Sequence, residues 1–331
     1  RTMPRRRPGP LAFRARLAWT RRQAARYLGA LVPALQPPSH GPAVTLTQAC
    51  LLFLVQLAFG SALTFVCVDR ETLGPKYFKF GGWILGGLYG LALALVWPWL
   101  LGEGGSAERG LAWCVVGAAS ATLAFASVSG WDRPRLESAL LGLLLLFGAA
   151  AVGLGAVHWQ PLARAAGGET AVPAFSGAEL ALVLAGAYGS ALVLGFTIWS
   201  MTLGHWYLVD HGLDIKELGK LVTPLAWIYL AKIAVSAAAL WFMWGRVLGP
   251  GNRSMDDMLT RSPEQILDVV NVWARIPVGL VVPLILAYMA RVTVRMEKTQ
   301  PATGILYAMC GMVILGDLMG KMLEGVRGVP L

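Results

Sequence analysis

Long apolar runs parted by short polar breaks dominate the pattern of this chain. There are eight of them, at roughly 45–68, 80–101, 110–130, 137–157, 178–204, 219–245, 272–291 and 302–323. Each has about the 20 residues that carry a helix across the hydrocarbon core of a bilayer. The pattern predicts an all-α, polytopic integral membrane protein with eight transmembrane helices. Tryptophans flank many of the runs, among them Trp83, Trp97, Trp99, Trp113, Trp131, Trp159, Trp206, Trp244 and Trp273. That placement suits an aromatic belt at headgroup depth. An even number of spans returns the chain to its starting side. The breaks at 69–79, 131–136, 205–218 and 292–301 then share one side, called side A, and both chain ends lie on side B.

Two phrases recur. "AFGSAL" at 58–63 returns as "AYGSAL" at 187–192, and "TLGPKYF" at 72–78 returns as "TLGHWYL" at 202–208, at offsets of 129 and 130. Both are read as span 1 and its exit, then span 5 and its exit. Small residues recur wherever membrane helices pack closely, but the shared order and offset favour duplication of a four-helix unit. The expected architecture is two related four-helix halves about an axis along the membrane normal. The predicted boundaries are a basic amphipathic segment at 1–44, a first half at 45–157, a Gly- and Pro-containing linker at 158–177 and a second half at 178–331. Pro224, Pro277 and Pro283 are expected to kink spans 6 and 7, Pro98 to end span 2, and Pro301 to open span 8. In the loop 246–271, "SPEQ" with Ser262 as N-cap predicts a short helix.

Composition agrees with the pattern. Hydrophobic residues make up 56% of the chain, charged residues 14%, and the mean hydropathy is +0.60. A soluble chain carries about a quarter charged residues, so a large soluble core is excluded. The net charge of +10 comes mostly from the first 26 residues, which hold nine arginines. There Phe13, Leu17, Leu28 and Leu31 share a face opposite Arg22 and Arg26, as in a basic helix lying on an anionic membrane surface; a disordered basic tail is the other reading. No folded nucleic-acid module follows, so lipids are the expected partner and nucleic acid is not. A Pro-rich stretch and then a full-length span follow the arginines, so no secretory signal is read. The arginine-rich tail places side B in the cytoplasm, as in a bacterial inner membrane, while "RVTVRMEK" and "DIKELGK" on side A pull the other way. Cys50, Cys67, Cys114 and Cys310 have no paired spacing and read as small buried hydrophobes.

Candidate chemistry concentrates in the second half. Ionisable residues inside spans are costly and therefore point to function. Lys232 lies mid-span in "WIYLAKIAVSA", Arg275 near the side-B end of span 7, and Asp317 and Lys321 one turn apart on span 8. Asp317 is expected to pair with Lys232, Lys321 or Arg275, either as a structural ion pair or as part of a proton or substrate path. At side A, "GHWYLVDHGLD" sets His205 beside Trp206, Tyr207 and Asp210. Such a set suits a quinone, with the imidazole on a carbonyl oxygen, the aromatics on the ring and the carboxylate relaying protons; an aromatic belt with a solvated polar loop is the other reading. The four histidines are His40, His158, His205 and His211. His158 and His205 fall at opposite faces, so no intrasubunit haem is expected, and no motif predicts a metal.

With these features the chain resembles, in architecture, the quinone-interacting membrane subunits of the NrfD and DMSO-reductase-anchor type. The resemblance implies a cofactor-free subunit of an electron-transfer complex that serves quinol through partner iron–sulfur or haem subunits. It carries over no site residue. The expected function is therefore a quinone-interacting, proton-conducting membrane subunit. Structural or assembly subunit of a larger membrane complex, parallel-repeat transporter and lipid-modifying enzyme are the other readings.

Overall fold

The computed structural model describes residues 46–103, 105–131, 133–166, 176–209, 215–242 and 275–327. The predicted basic helix within 1–44, the capped start at Ser262 and Asp210 lie outside the described residues. Among the described residues all regular structure is helical: α1 Leu46–Cys67, α2 Arg70–Pro98, α3 Ser106–Val128, α4 Pro134–Ala166, α5 Gly177–Val209, α6 Lys216–Phe242, α7 Val282–Arg295 and α8 Thr299–Arg327. A π turn, Trp99–Glu103, extends α2, and a π segment, Arg275–Val281, leads into α7. Among the described residues eight helices, with their π extensions, are long and apolar enough to cross a membrane. They answer to the eight apolar runs and are compatible with an integral membrane protein.

The ends of the helices depart from the pattern for local reasons. Apolar sequence marks only what hydrocarbon surrounds, so polar flanks carry the pattern of a loop. The stretch "RETLGPKYFK" is nevertheless helical from Arg70. The Asp69 carboxylate accepts from the Glu71 N–H at 3.3 Å and from the Thr72 hydroxyl at 2.9 Å, capping α2. Gly74 then adopts a left-handed φ of 72°, and Pro75 restarts the helix at a new angle. "TLG" at 72–74 therefore opens α2, whereas "TLG" at 202–204 lies inside α5, which runs on to Val209. The first phrase follows a helix break and the second does not. At the other side, α4 continues to Ala166, into the stretch read as linker. The prolines act where they lack an N–H to donate. Pro98 closes the α part of α2, and Pro283 sits in the first turn of α7, just after the π segment. Pro301 falls in the opening turn of α8.

Within each set of four, the helices pack in a ring. α1 lies against α2 and α4, with α3 between those two; α5 lies against α6 and α8, with α7 between those two. α1 and α5 join the sets, and the two repeated phrases meet there. A Cβ on Gly60 would stand 1.7 Å from the carbonyl oxygen of Ala191, and one on Gly195 would stand 2.0 Å from the carbonyl carbon of Gly60. Only glycine permits this backbone approach. The contact is not reciprocal: Gly189, the counterpart of Gly60 in the second phrase, faces Lys232 instead. Next to the seam lies an aromatic core, with Phe65 packed edge-on against Trp199 at 4.9 Å and stacked with Phe125 at 5.9 Å. The outward faces are apolar, with Trp83, Leu91, Trp113, Leu146, Trp227, Trp241 and Leu315 exposed. An outer surface of that kind suits lipid.

A buried acid–base group in the second helical set

Lys232, Asp317 and Lys321 are each no more than 3% exposed. Three helices and the π segment bring their surroundings together. Lys232 comes from the middle of α6, and its Nζ donates to the carbonyl oxygen of Gly186 on α5 at 3.0 Å. Gly189 makes room for the lysine stem, since a Cβ there would lie 3.2 Å from Lys232 Cδ. Asp317 and Lys321 lie one turn apart on α8, with Lys321 Nζ 3.9 Å from Asp317 Oδ1. Lys232, Asp317, Ser190 and Leu280 line a cavity of about 10 Å³, space for roughly one water centre. Arg275 opens the π segment that packs on α8; its side chain lies outside the described residues. Of the four predicted charged residues, the fold thus gathers two around one cavity, sets Lys321 beside Asp317, and brings the backbone segment of Arg275 to the same helix.

A polar face extends from this group toward side A. Gly186, Ser190, Thr197, Ser200 and Gly204 recur on α5 at steps of three, four and seven residues, which keep one helical face. Gly204 meets Thr303 of α8, whose Oγ1 is 2.8 Å from where a Cβ would stand. The hydroxyls of Ser190, Thr197 and Ser200 are buried and find no partner among the described residues. Buried hydroxyls are costly in an apolar medium unless bonded, so this face is a natural place for water.

The residues of "HWY" diverge, because neighbours in a helix point about 100° apart. His205 is exposed, and its Nδ1 lies 3.1 Å from the Tyr307 hydroxyl on α8. Trp206 packs edge-on against Tyr77 at 5.7 Å and tilted against Phe80 at 5.8 Å, both on α2. Tyr207 is buried in the core. The structure therefore joins His205 to Tyr307, which the sequence reading passed over, and turns Trp206 and Tyr207 toward other surroundings. The available signal was that Tyr307 opens the last span at the same depth as His205.

Three polar arrangements at the helix ends also escaped the sequence. On side A, Arg70 pairs with the buried Glu137 of α4, which also accepts from the Ser129 hydroxyl at 2.9 Å. Nearby, the buried Glu217 of α6 accepts from the Asp69 N–H at 2.8 Å and from Lys220 Nζ at 2.7 Å. That contact ties the α1–α2 turn of the first set to the second set. The Thr72 hydroxyl, followed by the Glu71 N–H, holds the Asp69 carboxyl below the usual carboxylate range. On side B, His158 Nε2 stands 3.5 Å from Glu108 Oε1, with Trp99 edge-on to the ring at 6.3 Å. The clue to Glu137 and Glu217 was their place in the first turn of a helix, where the dipole favours acids. Among the described residues no three His, Cys, Asp or Glu side chains are grouped to hold a metal ion. No family model, curated protein or solved structure matches the chain.

Proposed function

We propose that the chain is an integral membrane subunit of a quinone-linked electron-transfer complex whose second helical set carries protons. The observation that carries this reading is the buried group of Lys232, Asp317 and Lys321, in which Lys232 and Asp317 line a water-sized cavity and Lys321 stands beside Asp317. A buried carboxylate beside an ammonium group, on a cavity large enough for one water, is equipped to accept and release a proton. The hydroxyl-bearing face of α5 supports an extension of the path toward side A. At that end, the exposed His205–Tyr307 pair supports a quinone entering from the lipid, with both groups hydrogen-bonding its oxygen and exchanging its proton. Tyr307 takes the place beside His205 that the sequence assigned to Trp206 and Tyr207. Partner subunits supply the electrons, because this chain offers no redox ligand set of its own in the sequence. A bacterial inner membrane and a cytoplasmic N-terminus complete the reading. Duplication of a four-helix unit is part of it as well, supported by the two phrases and by the like ring of neighbours in each set.

The test uses the complex purified with its partner subunits and reconstituted into vesicles holding a pH-sensitive dye. Asp317→Asn is expected to slow proton movement by roughly a hundredfold, the scale of a lost acid–base group, with subunit assembly intact. His205→Ala is expected to lower quinol-linked turnover, again with assembly intact. Unchanged proton movement removes the path; full quinol turnover in His205→Ala removes the quinone site. Loss of neither would leave the structural-subunit reading in its place.

A further inference from the structure

We propose that the side-A groove between the start of α2 and the end of α3 binds the phosphate group of an anionic phospholipid. Lys76, Lys79, Ser127, Ser129, Gly130 and Trp131 line it, and its volume is about 160 Å³. One water takes roughly 10–15 Å³ on that measure, so a phosphate with its nearest waters fits. The groove is the work of local sequence. Pro75 restarts α2 after the Gly74 break, and Lys76 and Lys79 follow one turn apart, on the same side of the helix. Across from them α3 ends at Val128, and Gly130, at a φ of 118°, turns the chain toward Trp131.

Charge marks the groove for an anion. Elsewhere on side A, Arg70 is neutralised by Glu137 and Lys220 by Glu217. Lys76 and Lys79 have no ion-pair partner among the described residues, and both are exposed. What lies deeper favours a lipid over free phosphate. One turn below Lys79 on α2 stands Trp83, and one turn below Ser127 on α3 stands Leu123; both are exposed apolar groups. Between them Gly86 leaves a shallow furrow, where an added Cβ would already touch Leu123 at 3.4 Å. A headgroup between the lysines would therefore have its acyl chains against apolar side chains. Trp131 is 59% exposed at the headgroup end, the depth an indole prefers.

Native mass spectrometry of the full chain in detergent tests this, with phosphatidylglycerol, phosphatidylcholine and inorganic phosphate as probes. A saturable phosphatidylglycerol adduct is expected, retained over phosphatidylcholine. Lys76→Gln with Lys79→Gln should weaken it roughly tenfold or more, given the contribution of each cation near anionic lipid. Lys298→Gln removes another exposed side-A lysine and should leave the adduct unchanged. Circular dichroism of the double variant should match the parent. Equal retention of the two lipids, undiminished binding by the folded double variant, an equal loss in Lys298→Gln, or displacement by inorganic phosphate at matched concentration would each overturn the assignment.

Discussion

The two helical sets pack alike and place their charges differently. In the first, the buried acid is Glu137, at the side-A end of α4, where its partner Arg70 remains partly exposed. In the second, Lys232, Asp317 and Lys321 are buried along the middle and side-B half of their helices. A ring of four apolar helices does not require such a group, since the first set is built without a buried charge in mid-span among its described residues. Charges at an end serve as caps and ties. Charges at mid-depth must be held by partners against a large desolvation cost. The proposed function rests on this difference, with the second set as the place of chemistry and the first as its support.

Breaking the mid-depth group should have the largest effect. Asp317→Leu leaves the buried Lys321 ammonium without its carboxylate and takes the acid from the cavity that Lys232 also lines, and about 3–5 kcal/mol of stability should be lost. Unfolding in detergent is the measurement; adding Lys232→Met and Lys321→Met should recover part of the loss. A recovery of nothing would mean that Asp317 matters for another reason.

The joint between the sets comes next. Gly60→Val drives a side chain into the Ala191 carbonyl, and a cost of about 3 kcal/mol is expected, at the upper range of overpacking. Gly90→Val on α2, where nothing stands near, should cost well below half of that. Equal effects would show that helix propensity, and not the α1–α5 approach, controls the result.

A smaller loss is expected at the end of the first set. Glu137→Gln keeps the shape but removes the charge facing Arg70, and about 1–2 kcal/mol should go. If this matched the Asp317→Leu loss, depth in the membrane would not be what separates the sets.

The least effect belongs to Asp69, exposed in the α1–α2 turn. Its carboxyl is held low in the folded chain, so ionisation favours folding above the ordinary carboxylate value and that contribution fades as pH falls through the lowered one. The melting difference between the parent and Asp69→Asn should be present at neutral pH and close below about pH 4. A difference that persists there would assign the effect to the cap geometry alone.

Much of the fold was legible because hydropathy is a sum over residues and needs no neighbours. The eight runs became eight helices, and Pro98 and Pro301 stood where a missing N–H does least harm. The start of α2 was not legible, since Asp69 caps a polar stretch that no apolar count detects. Nor was the seam: Gly60 and Ala191 belong to phrases noticed for their likeness, yet their contact depends on how α1 and α5 are turned toward each other. Among the candidate residues, Lys232, Asp317 and Lys321 stood out as charges in apolar surroundings. Tyr307 beside His205, and Glu217 beneath the Asp69 turn, did not.

By itself the sequence determined the eight apolar helices and marked Lys232, Asp317 and Lys321 as charges lying within them. Both follow from transfer free energies that each segment carries alone. Only the tertiary structure decided which helix faces meet. It set Lys232 against α5, Asp317 beside the same cavity, and Trp206 against α2 and away from His205. The physical reason is that rotation of a helix about its axis leaves its hydropathy unchanged, so contacts between side chains of different helices are fixed by close packing alone.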